Sequence, residues 1–205
     1  MPLLRIDEVG HGAKLGLWQM TESVGQLPMP SVLDLTGVRS ENRIREILVT
    51  YQMLYAIMGR DDLRIRHEAS GKPVVEGYNI SISHTRGWAA MILAEKRGDS
   101  HKVGVDIEYF SDRVNRIASR FIREDEQNTD LAHRIINWSA KETVYKMFAE
   151  EDLRYFEMRL RHFEAHQEGE VFVDDLKCDK TIAVNYILNQ DYAFTWSSFM
   201  LSSKK

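Results

Sequence analysis

The stretch GVDIEYF, residues 104–110, alternates Val105 and Ile107 with Asp106 and Glu108. A period of two is the mark of a β-strand, whose successive side chains leave on opposite faces. One face of this strand needs an apolar core. On the other, two carboxylates stand ~6.5–7 Å apart. That acid face either meets water or holds a cation. Hard divalent ions such as Mg2+ take oxygen ligands, usually one or two carboxylates completed by substrate phosphates and water.

The rest of the chain has to supply the core. With 205 residues, 43% of them hydrophobic, it can fill one large domain or two small ones that share an interface. Residues 3–6 and 14–20 read as two strands around the turn VGHG. In SENRIREILVTYQMLYAIMG, Ile44, Ile47, Leu48, Tyr51, Leu54, Tyr55 and Met58 recur at helical spacing, with Ser40 as N-cap and Gly59 as stop. NISISHTRGWAAMILA predicts a strand, a turn near Thr85–Gly87 and a buried strand. After VGVDIEYF, the segment SDRVNRIASRFIRE sets Val114, Ile117, Ala118 and Phe121 on one face of a helix capped by Ser111 or Asp112. LAHRIINWSAKETVYKMFAEE predicts a second long helix, and residues 155–164, 170–173, 181–188 and 192–200 an antiparallel set of strands. The order ββ-α-βββ then α-α-ββββ predicts an α+β fold of two similar halves, residues 1–103 and 104–205, each with helices on an antiparallel sheet.

Other side chains have the chemistry to join the two acids. Glu142 and Lys146 in WSAKETVYK are four apart and share a helix face. They form either a surface ion pair contributing ~0.3–0.5 kcal/mol, or a third oxygen ligand with a phosphate clamp beside the metal. Lys141 points elsewhere on that helix and can reach a different part of a ligand. His84 in SISHTRG is either an ordinary polar turn residue or an imidazole presented to a phosphate. GKP, residues 71–73, makes a stiff turn in which Lys72 is either solvated or a ligand. Arg43 and Arg45 open a helix, where the dipole disfavours cations unless an anion binds there. Arg113, Arg116, Arg120 and Arg123 recur at steps of three, four and three; on a helix they form one basic stripe, either solvated or a docking surface.

Read in order, Arg43, GKP, SISHT, GVDIE and WSAKETVYK resemble the motif series of the 4′-phosphopantetheinyl transferases. The likeness is nearest to the surfactin-synthetase-activating type, about this long, and runs from about residue 18 to about residue 164. Its most specific part is GVDIE followed by WSAKETVYK, with Phe121 and Glu126 between them in the spacing F-x-x-x-x-E. The resemblance implies a pseudo-dimer of two halves with coenzyme A, the co-substrate, in the cleft between them. Residues 1–103 would form the nucleotide side and 104–205 the metal and carrier-protein side. It implies Mg2+, with Mn2+ as the other candidate, held by Asp106, Glu108 and Glu142. Lys146 and His84 would meet phosphates, Lys141 another part of coenzyme A, Lys72 the adenine end, and Arg43 the 3′-phosphate, with Arg39 and Arg45 as the alternative hold on it. Glu126 would help deprotonate the acceptor serine of an apo acyl carrier protein or peptidyl carrier domain; the spacing of Arg113, Arg116, Arg120 and Arg123, and not the resemblance, makes that stripe the candidate docking surface for it. Two departures stand out: residues 21–38 hold no lysine or arginine, and Tyr51 lies where similar sequences often carry a second arginine.

A formal net charge of −4 argues against a basic nucleic-acid footprint. A single cysteine, Cys178, rules out an intramolecular disulfide and fits a reducing cytosol. The N-terminus has no signal-like apolar region, and no run approaches the ~18 apolar residues of a membrane span. These features predict a soluble, cytoplasmic protein, and the two similar halves predict a monomer. Two rivals remain, a Mg2+-dependent phosphohydrolase and an inactive coenzyme A or carrier-protein binding module. The nuclease pattern Glu-x-Lys does not occur in the chain.

Overall fold

Spacing and capping decide the two α-helices of the computed structural model, which describes residues 3–96, 98 and 100–201. Helix α1 spans Glu41–Met58; the Ser40 hydroxyl accepts from the Arg43 amide, and Gly59 ends the helix at a left-handed φ of 66°. Helix α2 spans Leu131–Met147 and is capped by Asp130, whose side chain accepts from the His133 amide.

The strands are β1 (Leu3–Val9), β2 (Ala13–Gln19), β3 (Arg66–His67), β4 (Pro73–Val74), β5 (Tyr78–Thr85), β6 (Trp88–Glu95), β7 (His101–Tyr109), β8 (Met158–Leu160), β9 (Glu168–Asp175), β10 (Lys180–Leu188) and β11 (Tyr192–Met200). They make a four-stranded sheet in the order β1-β2-β6-β5, a five-stranded sheet in the order β7-β11-β10-β9-β8, and the small hairpin β3-β4, all antiparallel. The fold is α+β. Among the described residues, no helix is long and apolar enough to cross a membrane.

Alternation along the strands sorts the core into layers. Trp18, Met91 and Leu93 pack with Leu48, Met53, Leu54 and Ile57 of α1. On the opposite face Leu15, Leu17, Ala90 and Ile92 pack against Val103, Val105, Ile107 and Phe194 of the second sheet. Strand β2 from Leu15 to Trp18 and strand β6 from Trp88 to Ala94 are therefore buried on both faces. Helix α2 covers the outer face of the second sheet through Ile136, Ala140, Val144 and Met147.

The acid face of β7 thus turns toward a helix. What lets α2 approach so closely is Gly104: a Cβ there would lie 2.4 Å from both the Thr143 carbonyl oxygen and Met147 Cγ. The two sheets also meet edge to edge. Hydroxyls of β5 accept the outward amides of edge strand β7: Ser81 from Val105 (3.2 Å), Ser83 from Ile107 (3.3 Å) and Thr85 from Tyr109 (3.0 Å). A side-chain seam replaces a backbone ladder.

Two sequence expectations are corrected. Residues 111–124 form no α-helix but two short 3-10 turns, Asp112–Arg116 and Ala118–Arg120, and Ser111 makes no side-chain cap. Their apolar residues Val114, Ala118, Phe121 and Ile122 are still buried, packed with Ile135 and Ala193. Tertiary burial is satisfied without helical repeat. Arg113, Arg116, Arg120 and Arg123 therefore do not share one helix face: the first three are exposed, while Arg123 pairs with Asp125 at 2.8 Å. Residues 155–164 contain only the three-residue strand β8, preceded by a 3-10 turn at Tyr155–Glu157. Each half puts a long helix on an antiparallel sheet, but a hairpin precedes α1 whereas a single strand precedes α2.

Candidate active site

Asp106 is 2% exposed, which overturns the reading of its face as wetted. Its Oδ1 accepts from Lys146 Nζ at 2.6 Å and from Ser83 Oγ at 2.8 Å, and its Oδ2 from Ser139 Oγ at 2.8 Å. Lys146 also donates to Ser83 Oγ (3.0 Å) and to the Val105 carbonyl (3.3 Å). Behind Ser139, Thr195 of β11, the register partner of Asp106, links hydroxyl to hydroxyl with Ser139 (2.9 Å) and Thr143 (2.7 Å). Three elements, β5, β7 and α2, thus close on one carboxylate.

Glu108 and Glu142 flank this centre. Glu108 Oε1 accepts from the Trp138 indole N–H at 2.8 Å, and Glu142 Oε1 from the Tyr155 hydroxyl at 2.5 Å. Burial, then the charge of Asp106, pushes the Glu108 carboxyl up to about 7; the Trp138 bond and Lys146 pull the other way. Glu142 is raised by the same two causes in the same order, opposed by its bond to Tyr155 and by Lys146. Both are carboxylates short of positive charge in a partly desolvated place.

The donor set fits a hard divalent cation. Burial and then the charge of Asp106 raise the proton affinity of both Glu108 and Glu142, and an oxygen-ligated ion would relieve that repulsion. The three carboxylates share one neighbourhood without being drawn together. Among the described residues, the only trio of metal-ligating side chains whose donor atoms all lie within 4.8 Å of one another is Glu151, Asp175 and Cys178. There Lys180 is the resident cation, 2.5 Å from Glu151 and 3.3 Å from Asp175.

His84 is the penultimate residue of β5, next to Ser83. Its Nε2 lies 2.8 Å from Thr50 Oγ1, and Thr50 itself donates to the Glu46 carbonyl at 2.7 Å, so the imidazole is the donor of the pair. Burial depresses His84 to about 4; Glu46 opposes the shift, and Arg43 and Lys146 add to it. Arg43, Thr50, His67 and His84 line one recess with Tyr51 and three isoleucines. Arg43 is exposed and paired with Glu46 at 3.0 Å. Arg45 lies outside this lining and approaches Glu41 at 3.8 Å. Tyr51 offers the recess no cation, and its hydroxyl is spent on the backbone of Ile65. Lys72, in the β3-β4 turn, reaches Glu150 at 3.4 Å, an acid that also pairs with Lys102.

Lys141 and Glu126 sit elsewhere than the sequence suggested. Both side chains are 0% exposed and bonded to each other at 2.8 Å. Lys141 Nζ also donates to the carbonyls of Phe121 (2.7 Å) and Tyr155 (3.3 Å), while Glu126 accepts the amides of Arg123 (2.7 Å) and Leu160 (2.5 Å). The pair staples α2 to two loops. Both side chains are thus engaged with protein partners.

The sequence reading passed over Ser83, Ser139, Thr195, Trp138, Tyr155, Thr50 and His67. For some there was a signal. Ser81, Ser83 and Thr85 alternate with Ile80 and Ile82, and Trp138 and Ser139 lie inside WSAKETVYK. For Tyr155, on a loop of no fixed period, there was none.

Residues 102–197 match the family model described as the 4′-phosphopantetheinyl transferase superfamily. No curated protein matches the chain.

Proposed function

We propose, from the premise that residues 102–197 are a 4′-phosphopantetheinyl transferase superfamily domain, that this protein moves the phosphopantetheine arm of coenzyme A onto a serine of an apo carrier protein. The observation that carries the reading is the junction of Asp106 and Glu108 of β7, Glu142 and Lys146 of α2, and Ser83 and His84 of β5 along the seam between the sheets. It unites the acids that suit a divalent ion, an ammonium that suits a phosphate, and an imidazole beside an arginine-lined recess.

In this reading the serine oxygen attacks the phosphorus that bears the pantetheine. A new P–O bond forms, the bond to the bridging oxygen breaks, and 3′,5′-ADP leaves with its electron pair. Mg2+ or Mn2+, held by Asp106, Glu108 and Glu142, would neutralise the charge that grows on the phosphoryl oxygens. Lys146 stands beside the acids and offers its ammonium to the same charge. Arg43 and His84 receive the nucleotide end, where an arriving anion would give His84 reason to take up a proton. With Glu126 enclosed in its bond to Lys141, the serine proton would pass to a water beside the open acids. Arg113 lines a recess of about 190 Å³ with Glu108 and Trp138, and with Arg116 and Arg120, also exposed, it offers positive charge to an acidic carrier.

The test is mass spectrometry of an apo acyl carrier protein incubated with this protein, coenzyme A and Mg2+. One added phosphopantetheine on a serine is the expected result. Coenzyme A uptake with an unmodified carrier would favour the binding module, and release of inorganic phosphate without transfer the phosphohydrolase.

A further inference from the structure

We propose that Tyr155 and Trp138, stacked on each other, are positioning residues that hold one oxygen each of Glu142 and Glu108 and so aim these carboxylates for a shared divalent cation. The inference rests on the metal reading given above and deepens it. Their rings lie 5.2 Å apart, and the other side of Trp138 meets Phe121 at 4.9 Å. Each ring ends in one donor, and each donor takes one carboxylate oxygen: the indole N–H takes Glu108 Oε1 and the phenol O–H takes Glu142 Oε1. Among the described residues, neither Glu108 Oε2 nor Glu142 Oε2 receives a protein hydrogen bond.

Both donors are neutral. They fix where a carboxylate stands without cancelling its charge, unlike the ammonium of Lys146 on Asp106. Donors of this kind behind metal-bound carboxylates orient the ligand and preserve its demand for a cation. The aromatic pair is anchored from below as well. The Tyr155 carbonyl accepts from Lys141, whose partner Glu126 holds the amide of Leu160. The Tyr155–Glu157 turn is closed by the Glu157 side chain on the Arg154 amide at 2.8 Å. A buried ion pair, a turn and a ring stack thus stand behind the bonds to Glu108 Oε1 and Glu142 Oε1.

The experiment is a Mn2+ titration of the full chain with coenzyme A present, read as the free-ion signal in electron paramagnetic resonance. Tyr155→Phe, which removes only the hydroxyl, is expected to raise the Mn2+ Kd roughly tenfold and to leave metal-free coenzyme A binding and the melting temperature close to wild type. Trp138→Phe, which removes the other donor and keeps a ring, is expected to do the same and answers the question if the tyrosine variant folds poorly. Transfer by both variants should recover as Mn2+ is raised. Wild-type protein that binds no Mn2+ would overturn the metal reading and this inference with it. Wild-type binding with variants inside twofold of it, or variants that lose melting temperature alone, would overturn the inference and leave the metal reading standing.

Discussion

A carboxylate that keeps three partners after losing nearly all contact with water cannot be removed without consequence, and Asp106 is one. Asp106→Ala strands the ammonium of Lys146 and two serine hydroxyls; we expect a loss of roughly 3 kcal/mol in urea unfolding together with loss of transfer. Asp106→Asn keeps the shape and part of the bonding and should cost about 1 kcal/mol, yet be as inactive, because the missing charge is what the reaction uses. An alanine variant as stable as wild type would mean that the buried network is worth little. From the sequence, Asp106 and Glu108 were identifiable as residues of one face; burial was not, because it depends on the closeness of a helix ~30 residues away. The same gap explains Lys141 and Glu126. A lysine and a glutamate 15 positions apart carry no periodic sign of being partners, and charge made them look like surface chemistry.

Between α2 and β7 the decisive residue has no side chain. Gly104→Ala should push the helix outward, since the new Cβ would meet backbone at Thr143 rather than a yielding side-chain tip. The expected result is a loss of about 1–3 kcal/mol in stability and a fall in kcat larger than the change in KM for coenzyme A, as Glu142 and Lys146 retreat from Asp106 together. Equal kcat in a folded variant would show that the close approach serves packing alone. Elements with strong local signals were legible: both long helices and the caps of the first, the β1-β2 and β5-β6 hairpins, and the last two strands. The segment 111–124 was not, because its apolar spacing fits a helix while its burial is met by two tight turns, and periodicity cannot tell these apart over so short a stretch.

At the scale of the whole chain, the match at residues 102–197 covers β7, α2 and nearly all of the second sheet, but not Ser83, His84 or Arg43. The seam through Ser81, Ser83 and Thr85 and the shared core of Leu15, Leu17, Ile92, Val105 and Phe194 join what a boundary near residue 103 would divide. Strands β2 and β6 cannot be half-solvated; separated from the second sheet, each would show water a full apolar face. A piece cut at 100 should therefore aggregate or stay unfolded when expressed alone, on either side of the cut. Co-expressed, the two pieces should associate and regain transfer, measured by size-exclusion chromatography and carrier-protein mass. A soluble, active 101–201 fragment would contradict this. The practical meaning is for anyone grafting or shuffling such proteins: the unit of inheritance is the pair of sheets, and a swap made at the edge of the recognisable region would import three carboxylates while leaving behind the hydroxyl that holds one of them.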